Sequence, residues 1–328
     1  MEKLRLGTIG TSWITEQFIE AALASEKYSL EAVYSRTLEK ATDFTDKFSG
    51  EKAYDDWEAF LTDSAIDVVY IASPNSLHYE QAMEVLNHDK HAVVEKPMVT
   101  SSAEWESLIQ LAKKQGKVVV EAARHIFEPN FIKATEMLSD LGQVYGASLT
   151  FSSYSSRYDN VLKGEESAIF STKFDGGATN DLGIYVVYAA IRWFGKPDSV
   201  HAFMQKVRTG VDGKGTAIFR YADFDVTLHF SKMSTSLHST EIYGADQTLI
   251  LNGITDVSSI ELVDVRTKEK SEVALDAPAE NPLSWEAAAF ADVMQNMDQQ
   301  ENKEKLEDWW NLSKDVHEVL EMMREQAN

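Results

Sequence analysis

Residues 67–97 constrain the fold of this chain more than any other stretch. Asp67-Val-Val-Tyr-Ile-Ala-Ser-Pro-Asn75 is an apolar run that closes on a polar end. A helical segment with His78 on its first turn follows, and a second apolar run, Ala92-Val-Val94, ends in Glu95-Lys96-Pro97. Strand, polar end, helix, strand, polar end is the βαβ unit of a doubly wound sheet, whose ligands bind in the crevice beyond the carboxyl ends of the strands. Pro97 fixes the backbone direction beside Lys96. A lysine delivered to that rim can meet a bound small molecule.

The pattern extends in both directions. Strands are expected at 4–9, 30–34, 67–72, 91–94 and 118–122, with helices at 14–24, 39–48, 77–86 and 103–115 and a short connection of helical character at 54–61. Continuous apolar strands alternating with helices mean a parallel sheet covered on both faces. After about Arg124 the pattern changes. Residues 130–140 look helical, and 144–154 alternate, with Tyr145, Ala147, Leu149 and Phe151 on one face. Gly176-Gly177 precedes a helix expected from Asp181 to Phe194. Strand signals follow at 200–207, 215–221, 226–230, 239–243, 247–251 and 260–263, and helices at 284–297 and 303–324 end the chain. The fold class is therefore α/β, an N-terminal Rossmann doubly wound parallel sheet plus a C-terminal α+β domain with a mostly antiparallel sheet. The expected domains are 1–124 for dinucleotide binding and 125–328 for substrate binding and oligomerisation.

Composition narrows the partners. A chain of 328 residues, 44% of them apolar, is long enough for two cores. A formal charge of −22 disfavours a phosphate-backbone partner, which needs clustered Lys and Arg, so no nucleic acid is expected. The absence of cysteine removes thiolate metal sites, disulfides and thiol nucleophiles together. The eight histidines are scattered without zinc-type spacing, and no metal is expected. No apolar run approaches the ~20 residues of a membrane span. Nor does a charged leader with an apolar segment precede Leu4, so a cytoplasmic protein without membrane contact is expected.

Gly7-Thr-Ile-Gly10-Thr11-Ser12-Trp13-Ile14-Thr15 joins the first strand to the first helix, where a glycine-rich turn lets helix N–H groups hold a pyrophosphate. The glycine fingerprint is altered, with Ser12 at its second position and Thr15 at its third. Taken alone, the loop is also compatible with a strand–helix turn that binds nothing. An NAD enzyme usually carries an acidic residue at the end of the second strand for the ribose 2′-hydroxyl. Glu31 falls inside this strand, which ends instead in Ser35-Arg36. A hydroxyl and a guanidinium are donors for a phosphate, which favours NADP over NAD.

These elements, in order, carry a resemblance. Gly10-Thr-Ser12, Ser35-Arg36, Ser73-Pro74-Asn75 with His78, and Glu95-Lys96-Pro97 are followed by Glu121-Ala-Ala-Arg124 and by Asp175-Gly-Gly177 leading to Asp181-Leu-Gly183-Ile-Tyr185. The set resembles the glucose–fructose oxidoreductase / inositol dehydrogenase / rhizopine catabolism (Gfo/Idh/MocA) family. Tyrosine in the last place is similar to the branch of dihydrodiol and sugar dehydrogenases. The resemblance implies Lys96 as the central catalytic residue, with Asp181 and Tyr185 beside it. It also implies Asn75, His78 and Glu95 at the nicotinamide pocket, and a homo-oligomer (dimer or tetramer) formed through the open sheet face.

The activity so implied is hydride transfer between nicotinamide and a carbinol or carbonyl of a sugar, polyol, inositol or dihydrodiol. Lys96 can donate to the reacting oxygen. Asp181 and Tyr185, four residues apart, share a helix face. Lysine and tyrosine can exchange the role of proton acid/base. Two further readings stay open: a nicotinamide-assisted glycosidase whose cofactor never exchanges, and a non-enzymatic nucleotide sensor. Local alternatives remain as well. Asp181 can be a helix N-cap, Tyr185 a core residue, His78 an ordinary first-turn residue, and Arg124 either a ligand contact or an ion-pair residue.

Overall fold

The computed structural model describes residues 2–48 and 51–326, so the expected outer limits, 1 and 328, lie outside the described residues. The chain forms two compact units. The first runs through Arg124 and takes in 279–311, and the second comprises 125–278 with the chain from Leu312 onward.

The first unit alternates strand and helix: β1 (Leu4–Ile9), α1 (Trp13–Ala24), β2 (Tyr28–Tyr34), α2 (Leu38–Thr45), β3 (Lys52–Tyr54), α3 (Trp57–Thr62), β4 (Val68–Ile71), α4 (His78–Asn87), β5 (His91–Glu95), α5 (Ser102–Gln115) and β6 (Val119–Ala122). All strand pairings are parallel and the order is β3-β2-β1-β4-β5-β6. The central residues of β4, β5 and β6 are mostly apolar because both faces of the sheet are covered, and Val68, Val69, Val93 and Val119 are fully buried. The order reverses between β1 and β4, and that switch point opens the ligand crevice.

The second unit contains α6 (Pro129–Met137), β7 (Val144–Ser152), α7 (Tyr158–Leu162), a π turn (Thr179–Gly183), α8 (Ile184–Phe194), β8 (Ser199–Lys206), β9 (Asp212–Arg220), β10 (Asp225–Ser231), β11 (Thr240–Gly244), β12 (Gln247–Leu251), β13 (Ile260–Asp264) and β14 (Lys270–Glu272). Its eight-stranded sheet has the order β14-β13-β12-β11-β7-β10-β9-β8. Every pairing is antiparallel except β7 with β10. Two helices close the chain, α9 (Ser284–Gln295) and α10 (Gln300–Gln326).

Three features depart from the sequence pattern. The expected run of 125–328 as one domain is interrupted, because α9 belongs to the first unit. There the Tyr28 hydroxyl donates to the Ala287 carbonyl at 2.9 Å, and the Trp310 indole N–H donates to Val119 O at 2.8 Å. β3 and β14 are three-residue edge strands too short to show a period, and β14 is exposed throughout. Tyr145, expected on the buried face of its strand, is exposed. The pairing of β7 with β11 steps from Gly146 to Val144, so Tyr145 is the extra residue of a bulge and leaves the alternation. No helix among the described residues is long and apolar enough to cross a membrane.

Candidate active site

In the first unit the predicted cofactor residues gather at the carboxyl ends of β1, β2, β4, β5 and β6. Gly10 ends β1 with φ +107°, and a Cβ there would stand 2.8 Å from the Ala72 carbonyl oxygen. Only glycine permits this backbone and this approach of the β1 and β4 ends. The Gly10 N–H donates to Tyr34 O and the Ala72 N–H to Ile9 O, which fixes the turn between β2 and β4. α1 starts directly beyond, and the first-turn amides of Trp13, Ile14 and Thr15 have no acceptor within the helix, the arrangement that suits a pyrophosphate. The residues replacing the fingerprint glycines fit this role. Thr15 is buried beneath the turn, Ser12 is exposed at its lip, and their hydroxyls lie 3.2 Å apart. Thr11 is half-buried and Trp13 is 64% exposed. At the end of β2, Ser35 is buried with its N–H on Tyr54 O, and Arg36 is exposed.

The β4 end carries Ser73, Pro74 and Asn75, all half-buried, with Asn75 opening a 3-10 turn and the Ser73 hydroxyl donating to Gln81 at 2.7 Å. His78, expected to line the nicotinamide pocket, is only 1% exposed. Its ring is turned inward, with Nδ1 2.8 Å from Pro97 O and Nε2 2.7 Å from Ser73 O. It braces the β4 and β5 ends from behind. The burial that hides the ring also pushes its pKa down.

At the β5 end the half-buried Lys96 follows Glu95, and the Lys96–Pro97 peptide is cis. The Glu95 carboxylate accepts from the Tyr70 hydroxyl at 2.6 Å and from the Lys96 N–H at 3.3 Å. Burial raises the Glu95 pKa against the opposing influence of Lys96, Tyr70 and Arg124. Just after Pro97, the Met98 N–H donates to the buried Glu121 of β6 at 2.8 Å. Lys96 is thus mounted on a segment tied down on both sides. Arg124, past β6, is half-buried.

In the second unit, Asp181 and Tyr185 straddle a change of helix type. Asp181 lies inside the π turn and Tyr185 in the first turn of α8, so the helix expected from Asp181 onward begins as a wider turn. Such π segments recur at functional sites. Asp181 is therefore not an N-cap. Thr179 anchors the turn, its N–H and hydroxyl donating to Asp212 at 2.7 and 2.8 Å. Burial pushes the Asp212 pKa up, while those two bonds act against it. Gly183 faces the Phe230 ring of β10, which a Cβ would meet at 3.1 Å, so glycine lets the turn lie against that strand. Asp181 forms an ion pair with Lys232, the residue after β10. Tyr185 is half-buried between the rings of His125 (centroids 4.9 Å apart) and Phe151 (5.3 Å, edge-on). Lys232 and His125 belong to no motif read from the sequence. A lone lysine after a strand and a histidine beside Arg124 give no spacing signal.

A switch-point cradle with a glycine at the β1 end, a helix start beyond it and a lysine at the β5 rim define a dinucleotide-binding oxidoreductase of the Rossmann class. Comparison with known proteins agrees. Residues 4–123 match the family described as "Oxidoreductase family, NAD-binding Rossmann fold", and residues 131–250 match its C-terminal domain. The chain belongs to the Gfo/Idh/MocA family of oxidoreductases. It is 36% identical over 325 residues to a scyllo-inositol 2-dehydrogenase (NADP(+)) of Bacillus subtilis, covering 98% of this chain and 97% of that one. It is 37% identical to an uncharacterized oxidoreductase of Escherichia coli over 89% of this chain and 88% of the other. The fold is shared with a 3-ketoreductase from Actinomadura kijaniata solved with NADP and TDP-benzene, with a TM-score of 0.86, 21% identity, and 100% and 98% of the two chains covered. The protein is an NAD(P)-dependent oxidoreductase of sugar- and polyol-like alcohols or their carbonyl forms.

Proposed function

We propose that the protein is an NADP-dependent dehydrogenase or reductase of a polyhydroxylated ring, an inositol or a sugar, with Lys96, Asp181 and Tyr185 as the residues of the chemical step. The carrying observation is the mounting of Lys96. Its half-buried side chain leaves a rim held by Glu95 and Tyr70 on one side and by His78 and Glu121 on the other. A donor held still where an oxyanion develops is worth more than a mobile one, because no reorganisation is needed during reaction.

NADP, when bound, accepts or gives the hydride; the chain's own residues orient the carbon and handle one proton. Lys96 donates to the reacting oxygen and stabilises the negative charge that grows there. Tyr185 exchanges the hydroxyl proton, a contribution of about 10²–10⁴ in rate for a positioned acid/base. Asp181 accepts from a substrate hydroxyl. The Gly10 turn and the start of α1 hold the pyrophosphate, and Ser35 with Arg36 holds the 2′-phosphate. The relative from Bacillus subtilis, named for scyllo-inositol and NADP(+), supports both the cofactor and the ring substrate.

The outer face of the eight-stranded sheet, with exposed Phe203 and Tyr243, supports a homo-oligomer. Light scattering on the purified chain tests it, and a mass of 36.8 kDa in solution would overturn it.

The function is tested by absorbance at the reduced-nicotinamide band, with inositols, aldoses and diols offered with NADP and with NAD. Turnover with a cyclic polyol and NADP is expected, and Lys96→Ala should lower it by at least a hundredfold while the cofactor still binds. Near-normal turnover in that variant removes Lys96 from the mechanism. A cofactor that stays bound and shows no net change with any substrate removes the dehydrogenase reading.

A further inference from the structure

We propose that Lys232 is a positioning residue of the reaction, holding the Asp181 carboxylate in place and aimed at a substrate hydroxyl. The inference rests on the reading above that Asp181 meets substrate. Within the second unit, the side chain of Lys232 is 4% exposed whereas that of Asp181 is 32% exposed. The ammonium is therefore an internal partner and the carboxylate is the face the pair shows outward.

Three observations converge on the pair. Gly183 lets the π turn close on Phe230, two residues before Lys232, and so brings Asp181 to the end of β10. The Lys232 main chain is fixed on both sides: its N–H donates to Gly213 O at 2.9 Å and its carbonyl accepts from the Ser155 N–H at 3.0 Å. Its ammonium also lies 5.6 Å from the ring centroid of the fully buried Phe170, whose quadrupole favours a cation there. Phe170 comes from the 155–174 segment and is buried in a cluster with Val161 of that segment and with Val211.

A buried ammonium is costly unless it is paired, so simple packing at this position would favour an apolar side chain. Its pairing with the one carboxylate of the Asp-x-Gly-x-Tyr element gives the charge a purpose. An acceptor-only carboxylate held by a lysine from behind offers its remaining lone pairs to hydroxyl donors, as a neutral polyol requires. Held in one orientation, it also spares the substrate the entropy of ordering it.

The test compares Lys232→Met, Lys232→Arg, Asp181→Asn and the Lys232→Met/Asp181→Asn pair, in steady-state kinetics with the polyol substrate and in a cofactor titration by nicotinamide fluorescence. The expected order of kcat/KM is wild type, then Lys232→Arg, then Lys232→Met, the last lower by about a hundredfold and mainly through KM, with cofactor Kd unchanged throughout. The double variant should be no worse than the poorer single, since both remove one interaction. If Lys232→Met does not fold, Lys232→Gln takes its place under the same criteria. A KM within threefold of wild type in the uncharged variant overturns the proposal, as does a loss of cofactor affinity equal to the loss of kcat/KM. Near-normal kinetics for Asp181→Asn would instead refute the role of Asp181 on which it rests.

Discussion

The His78 ring stands 2.8 Å from the main-chain oxygen of Pro97, and its other nitrogen 2.7 Å from that of Ser73. One residue therefore joins the ends of two strands, β4 and β5, directly behind Lys96. Both partners are acceptors, and a neutral imidazole donates to one of them. His78→Phe keeps the volume and removes the donor. It is expected to cost about 1–3 kcal/mol of stability, the range for a buried acceptor left unsatisfied, and to lower kcat because the lysine loses its fixed mount. Urea unfolding and steady-state kinetics on the same preparation check both. Unchanged kcat with lowered stability would restrict His78 to a packing role.

Gly10 admits no side chain. Its φ of +107° and the 2.8 Å approach to the Ala72 carbonyl leave Gly10→Ala with both backbone strain and a clash against main chain. The strain alone is of order 1–3 kcal/mol. Relief requires the β1 turn to move, and the turn is the pyrophosphate cradle. NADP affinity is expected to fall at least tenfold, read by fluorescence titration of the reduced cofactor. An unchanged Kd would place the pyrophosphate elsewhere.

The parallel sheet was legible because its strands are buried on both faces and its helices have room to show a period. Even the rim residues Ser73, Asn75 and Lys96 could be placed from strand ends alone. What escaped was set by tertiary context. β3 and β14 are three-residue edge strands with nothing to alternate. The return of α9 to the first unit depends on contacts such as Tyr28 with Ala287, 259 positions apart, which no local pattern encodes. His78 was found by its motif, but the contacts of its ring with the Pro97 and Ser73 carbonyls were not, since a motif does not say which way a ring faces. Lys232 was invisible because its partner, Asp181, lies 51 residues away.

Acid sensitivity should trace to His91 in a defined window. At the start of β5 its Nδ1 accepts the Val118 N–H at 2.9 Å. Burial and the neighbouring Lys117 hold its pKa down at about 4, below the ordinary 6.5 of a histidine. A histidine depressed in the folded state is neutral there while the unfolded chain takes a proton, so its contribution is intact above pH 6.5 and is lost as pH falls toward 4. The full loss is about 3 kcal/mol, at 1.36 kcal/mol per pKa unit. His78 acts in the same direction. Asp63 also destabilises on acidification, but lower: bonds from Lys52, Ala65 and Tyr54, against burial, hold it at about 2 from 3.8. His91→Asn keeps an acceptor for Val118 without the titration. Its unfolding free energy should fall less than wild type between pH 7 and pH 5, by about 2 kcal/mol. The paired comparison cancels Glu95 and Asp212, whose raised carboxyls work in the opposite sense. Parallel pH curves for the two proteins would clear His91.

Cofactor preference should rest on Arg36. The residue is exposed just past the end of β2, next to the buried Ser35 whose N–H is engaged by Tyr54 O. Glu31, the acidic residue nearest in spacing to a ribose ligand, lies within β2 and accepts from the Ser29 hydroxyl at 2.8 Å. No carboxylate from that position opposes a 2′-phosphate at the strand end. A guanidinium–phosphate bond is charge-assisted and worth about 1.5–3 kcal/mol, or roughly 10–100-fold in affinity. Arg36→Ala should therefore weaken NADP by that factor and leave NAD nearly unchanged, narrowing the preference rather than abolishing binding. Raising the salt concentration should weaken NADP more in the wild type than in the variant, since the lost interaction is the screened one. Equal losses for the two cofactors would move the 2′-phosphate away from the β2 end and leave Arg36 a solvated side chain.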